Sequence, residues 1–90
     1  MRSIYIGNLP YDITQQQIHD LFSQFGNVIS SRMILDITTQ KFKGYAFVDM
    51  ELENAETAIS MLNGASYNNR IMRVSMANPT NNQDTQKDKD

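Results

Sequence analysis

A chain of 90 residues has room for one compact domain and not two, and with 40% hydrophobic residues, four Phe and four Tyr it can bury a modest core. The absence of cysteine excludes disulfides, thiolate metal sites and cysteine nucleophiles, and no segment reaches the roughly 18 apolar residues of a membrane span. The formal net charge is −2 and the pI about 5.2, so a polyanion can be held only by the placement of cations and not by their excess.

The first element is signalled by period-2 alternation from Ser3 to Gly7, which Asn8, Leu9 and Pro10 break, giving a strand and then a loop. Thr14 followed three residues later by Gln17 is a capping-box pattern. Ile18, Leu21, Phe22 and Phe25 then share one helical face before Gly26, which predicts a helix of about 11 residues. Val28 to Ile34 alternates loosely into a second strand, Asp36 to Phe42 is a polar loop, and Tyr45 to Met50 forms a third strand. Ala55, Ala58, Ile59 and Leu62 recur at helical spacing ahead of Gly64, with no strong N-terminal cap. After a turn-like Ser66 to Asn69, Ile71 to Ala77 supplies a fourth strand, completing the order βαββαβ. From Asn78 onward the chain loses its apolar residues and reads as a polar tail, which is expected to be disordered. Without the tail's Asp84, Lys87, Asp88, Lys89 and Asp90, six cations face seven anions.

Alternation sends Ile4 and Ile6 to one side of the first strand and Tyr5 to the other. In the third strand it separates Ala46, Val48 and Met50 from Lys43, Tyr45, Phe47 and Asp49. The aliphatic set matches the apolar stripes of the helices and forms the natural core, which leaves Tyr5, Tyr45 and Phe47 facing solvent. Three aromatic rings on one exposed face mark a binding surface, and rings flanked by Lys43 suit stacked bases joined by phosphates.

The segments Ile-Tyr-Ile-Gly-Asn-Leu (residues 4 to 9) and Lys-Gly-Tyr-Ala-Phe-Val-Asp-Met (residues 43 to 50) resemble the hexamer and octamer of the RNA-recognition-motif family. Seven of the eight octamer positions fit; the departure is Met50, at a core-facing position that a flexible thioether can fill. The resemblance implies an α+β, ferredoxin-like βαββαβ sandwich over residues 1–78. Its four-stranded antiparallel sheet has strand order 4-1-3-2, with two helices packed on one face, and residues 79–90 remain as tail. It also implies that Tyr5 and Phe47 stack on successive bases of single-stranded RNA, that Tyr45 packs against the intervening sugars, and that Lys43 meets a phosphate. Arg32 and Ile34 on the second strand and Arg73 and Ser75 on the fourth fall on the same face by alternation and form the expected selectivity set. Lys41 is placed to reach the RNA backbone from a loop that reads Thr39-Gln40 where the family usually has Thr-Gly. Ala77 and Asn78 match the segment whose backbone meets base edges. The bare single domain and the octamer's final Met resemble the small single-domain RNA-binding proteins of bacteria and cyanobacteria.

Elsewhere the reading is plain. His19, the lone histidine, belongs to a solvated helix face, and no metal ligand set, nucleophile motif or phosphate-loop glycine spacing is present, so no cofactor, no metal and no enzyme activity are expected. Met33, Met50, Met61, Met72 and Met76 fall mostly at core-facing periods and are expected to pack. The expectation is a cytoplasmic monomer that binds single-stranded RNA and no membrane. Stacking ignores the sugar, so single-stranded DNA is the alternative ligand, and a protein-interaction module is the alternative class.

Overall fold

The computed structural model describes residues 1–77. The elements follow in the order β1 (Arg2–Gly7), α1 (Gln15–Ser23), β2 (Val28–Leu35), β3 (Phe42–Met50), α2 (Leu52–Leu62), β4 (Ser66–Tyr67), β5 (Arg70–Ile71) and β6 (Arg73–Met76). Four strands form one antiparallel sheet in the order β2-β3-β1-β6, while β4 and β5 pair as a separate small hairpin. With β6 as the fourth main strand, this is the expected 4-1-3-2 order read from the other edge.

Helix α1 begins where the sequence signals it. The Thr14 hydroxyl accepts from the Gln17 N–H at 3.1 Å, and the Gln17 side-chain oxygen accepts from the Thr14 N–H at 2.9 Å, satisfying two donors that a bare helix end leaves open. The helix is shorter than expected, ending at Ser23 so that Phe25 packs against the core from outside it. Ile18 and Phe22 are buried from α1, and Ala55, Ala58 and Leu62 from α2, all over a sheet face made of Ile4, Ile6, Ala46, Val48, Met50 and Val74. The two alanines of α2 let its backbone come close to that face. Helix α2 has no side-chain cap at Glu51, as its sequence suggests.

Two readings need correction. The stretch Ser66 to Ile71 is not a turn leading straight into a strand. Asn68 and Asn69 both take positive φ (50° and 68°) and close the β4–β5 hairpin, a two-residue connection that asparagine tolerates. The fourth main strand accordingly starts at Arg73, two residues later than alternation places it. Met61 is 63% exposed and does not pack, whereas Met50 and Met72 are buried and Met33 and Met76 lie against the core.

The sheet's outer edges are irregular or covered. Strand β2 changes register against β3 between Val28 and Ser30 and again between Met33 and Leu35. On β6, the Asn63 side-chain oxygen accepts from the Val74 N–H at 3.0 Å.

Truncating Phe22 to Ala removes the largest fully buried side chain. It should lower stability by about 3–5 kcal/mol, most of what a small domain has, as read from the midpoint of urea unfolding. Thr14→Ala should cost only about 1 kcal/mol in the same assay.

Candidate nucleic-acid interface

Cross-strand register builds the face that the helices leave uncovered. Opposite Tyr5 on β1 lie Phe47 on β3 and Ser75 on β6, and opposite Phe47 lies Arg32 on β2. One row therefore runs Arg32, Phe47, Tyr5, Ser75 across all four strands. Arg73 pairs with Gly7 one row on, and Ser30, Asp49 and Ser3 form the row on the other side.

The three aromatic rings make one platform. Tyr5 stands 5.9 Å from both Tyr45 and Phe47, and Tyr45 stands 6.3 Å from Phe47, in tilted and edge-on arrangements. These separations are favourable for ring pairs. All three side chains are half-buried, with Tyr5 lying along the strand over Gly7. A Cβ at residue 7 would run into the Tyr5 hydroxyl and ring carbons, so glycine is what allows the ring to lie down.

Of the expected site residues, Tyr5, Tyr45, Phe47, Arg32, Arg73 and Ser75 share this face. Lys43 is exposed on the same alternation of β3. Ile34 is half-buried in the irregular step between Met33 and Leu35, so its side is not fixed by simple alternation. Lys41 is exposed in the β2–β3 loop. Asn78 lies outside the described residues, while the neighbouring Ala77 donates its N–H to the Ser3 carbonyl at 2.8 Å and carries the chain on beside β1.

The β2–β3 loop is organised by Asp36. Its carboxylate accepts from the backbone N–H groups of Thr39 and Thr38, at 3.0 and 2.9 Å, which hold its pKa below the ordinary aspartate range, with the Lys43 charge adding to the effect. Gln40 takes φ 63°, the conformation a glycine would supply at no cost.

Two groups escaped the sequence reading. Arg70 donates from Nη2 to the Asn8 side-chain oxygen at 2.8 Å and from Nε to the Asn8 carbonyl at 3.2 Å, and its guanidinium lies 5.7 Å from the centre of the Tyr11 ring. Tyr11 is 67% exposed and comes near Gly44, between Lys43 and Tyr45 in sequence. A cation and an exposed ring thus pair beside the β1–α1 loop, near the end of β1. Their only sequence signal is composition, an aromatic after Pro10 and an arginine after two asparagines.

The second missed group surrounds Asp49. Ser3 donates its hydroxyl to one carboxylate oxygen, Ser30 donates to the other at 2.5 Å, and Arg32 Nη2 stands 3.9 Å away. Burial pushes this carboxyl up, but the two hydroxyls and the guanidinium together hold it below the ordinary aspartate range. Among the described residues no cluster of three or more His, Asp or Glu is arranged to hold a metal ion.

The model of the RNA recognition motif family matches residues 4–73. The human cleavage stimulation factor subunit 2 tau variant is 41% identical over 78 residues, which is 86% of this chain but only 13% of that protein. A putative RNA-binding protein, RbpE, of Nostoc sp. is 40% identical over 78 residues, 86% of this chain and 79% of that protein. The Rna15 RRM solved with bound RNA (GU) superposes with a TM-score of 0.76 at 39% identity, covering 84% of this chain and 82% of that one. Likeness to a cyanobacterial protein is thus present as expected, and a eukaryotic protein matches to the same degree. With both motifs on adjacent strands, one helix-free aromatic face and a family match from the first strand to the last, the chain belongs to the RNA recognition motif family.

Proposed function

We propose that this domain binds single-stranded RNA on the free face of its sheet, as a binding module and not as a catalyst. The observation that carries the reading is the Tyr5, Tyr45 and Phe47 platform. Three rings with centroids 5.9 to 6.3 Å apart are left on the solvent side of a sheet whose other side holds the whole core. Each base stacked on such a ring contributes about 1–3 kcal/mol. Tyr5 and Phe47 take one base each, Tyr45 packs on the sugars between them, and Lys43 meets a phosphate. Arg32, Ile34, Arg73 and Ser75 border the bases, while Lys41 and the segment entering Asn78 reach the strand from either end. Tyr11 with Arg70 offers a separate exposed ring and cation beside the β1–α1 loop. The family match and the RNA bound to the related Rna15 domain support this assignment. Such a surface serves a post-transcriptional regulator or an RNA chaperone, acting as a monomer in the cytoplasm.

Heteronuclear NMR titration with (GU)4 RNA should shift the amides of Tyr5, of Lys43 to Phe47 and of β6. An absence of shifts up to millimolar RNA, repeated with a random octamer pool, would sink the reading. Tyr5→Ala and Phe47→Ala should each weaken binding about tenfold or more with the unfolding midpoint little changed. Gly7→Ala should also weaken binding, because it lifts the Tyr5 ring without deleting it. Near-neutral charge predicts a shallow salt dependence: a log–log slope no steeper than about −3, at roughly −0.7 per phosphate neutralised on a single strand.

A further inference from the structure

Asp49 is a buried carboxylate on the face of the sheet that otherwise looks outward, only 8% exposed. An anion there repels phosphate and loses hydration, both of which are unfavourable on a nucleic-acid surface. Its surroundings are specific. Ser3 on β1 and Ser30 on β2 each donate to one of its oxygens, so hydroxyls from both flanking strands fix the carboxylate in place. Held this way it stays ionised at neutral pH. Among the described residues the one charged group it meets is Arg32, whose Nη2 is 3.9 Å from the carboxylate while its guanidinium carbon lies 5.5 Å from the centre of the Phe47 ring. Arg32 is therefore a tethered cation poised above an aromatic ring that the proposed function assigns to a base.

We infer that Arg32 and Phe47 are the two walls of a slot for a single base, with Asp49 as the positioning residue that keeps the guanidinium above the ring. The inference rests on the RNA-binding reading and adds that the base on Phe47 is covered on its second face. A base between two planes at van der Waals contact needs them about 7 Å apart, more than the 5.5 Å from the guanidinium carbon to the ring centre, so the guanidinium must move outward to admit one. The Arg32 side chain is 59% exposed, so it has room to move outward, and the charge of Asp49 goes on attracting it beyond contact distance. A guanidinium suits the task because it is planar, weakly hydrated and stacks on π faces, which an ammonium does not.

Binding of (GU)4 RNA to the whole chain, measured by fluorescence anisotropy over a range of salt, separates the possibilities. Arg32→Lys keeps the charge and loses the plane. Its affinity should fall about fivefold, close to the loss in Arg32→Ala, with an unchanged salt slope. A lysine variant that binds as tightly as the wild type would assign Arg32 to phosphate and overturn the slot, and an alanine variant that binds more tightly would make Arg32 an obstruction and overturn it too. Asp49→Asn provides a test of sign. Removing an anion strengthens RNA binding if only long-range charge matters, whereas the slot requires about threefold weakening that disappears when Asp49→Asn is made in Arg32→Ala. Strengthening in the wild-type background, or equal weakening in both backgrounds, would overturn the positioning role. Should Asp49→Asn fail to fold by circular dichroism, the lysine and alanine variants of Arg32 still decide the slot. Wild-type chain that binds neither (GU)4 nor a random octamer pool would overturn the underlying RNA reading instead.

Discussion

Burial of one side of the sheet under two helices is the constraint on which the rest of this domain depends. Ile18 and Phe22 from α1 and Ala55, Ala58 and Leu62 from α2 cover Ile4, Ile6, Ala46, Val48 and Val74, and strand geometry then gives every intervening residue to the opposite side. The aromatic platform is thus positioned by the core without touching it. A shift of one residue in the register of β1 or β3 would bury Tyr5 or Phe47 and expose isoleucine or valine, so the apolar contacts that stabilise the fold also hold the binding rings in line.

The charge on the platform is arranged more than it is abundant. Lys43, Arg73 and Arg70 gather near the end of the face where β1 finishes, while Asp49 lies toward the end where β1 begins. With six cations against seven anions outside the tail, attraction at a distance is small. In the RNA-binding mode proposed above, affinity rests mainly on stacking and close contacts, which persist at salt concentrations that would strip a strongly basic domain from nucleic acid.

How much of this is legible in the sequence follows from how local each signal is. The alternation of Ile4, Tyr5 and Ile6, the capping box of Thr14 and Gln17, and the helical spacing of Ala55, Ala58 and Leu62 are each contained in a few residues, and all of them reappear in the structure. The β4–β5 hairpin is missed because a two-residue turn through Asn68 and Asn69 looks the same as a loop until its strands are paired. The grouping of Ser3, Ser30, Arg32 and Asp49, and the approach of Arg70 to Asn8 and Tyr11, join residues far apart in the chain. They depend on cross-strand register, which alternation alone does not supply. Met61 is misread for a related reason: helical spacing near a core stripe does not say where that stripe stops.

The irregular steps in β2 bear on how copies of this domain behave when crowded together. An outermost strand offers unpaired N–H and C=O groups to any second sheet. A ladder that changes register between Val28 and Ser30 and again between Met33 and Leu35 leaves only a short straight run for such pairing. At the other edge β6 spans four residues, and Asn63 already occupies the Val74 N–H. Both rims of the sheet are thereby poor templates for strand addition, which lets the domain display an aromatic face without seeding aggregation through its backbone.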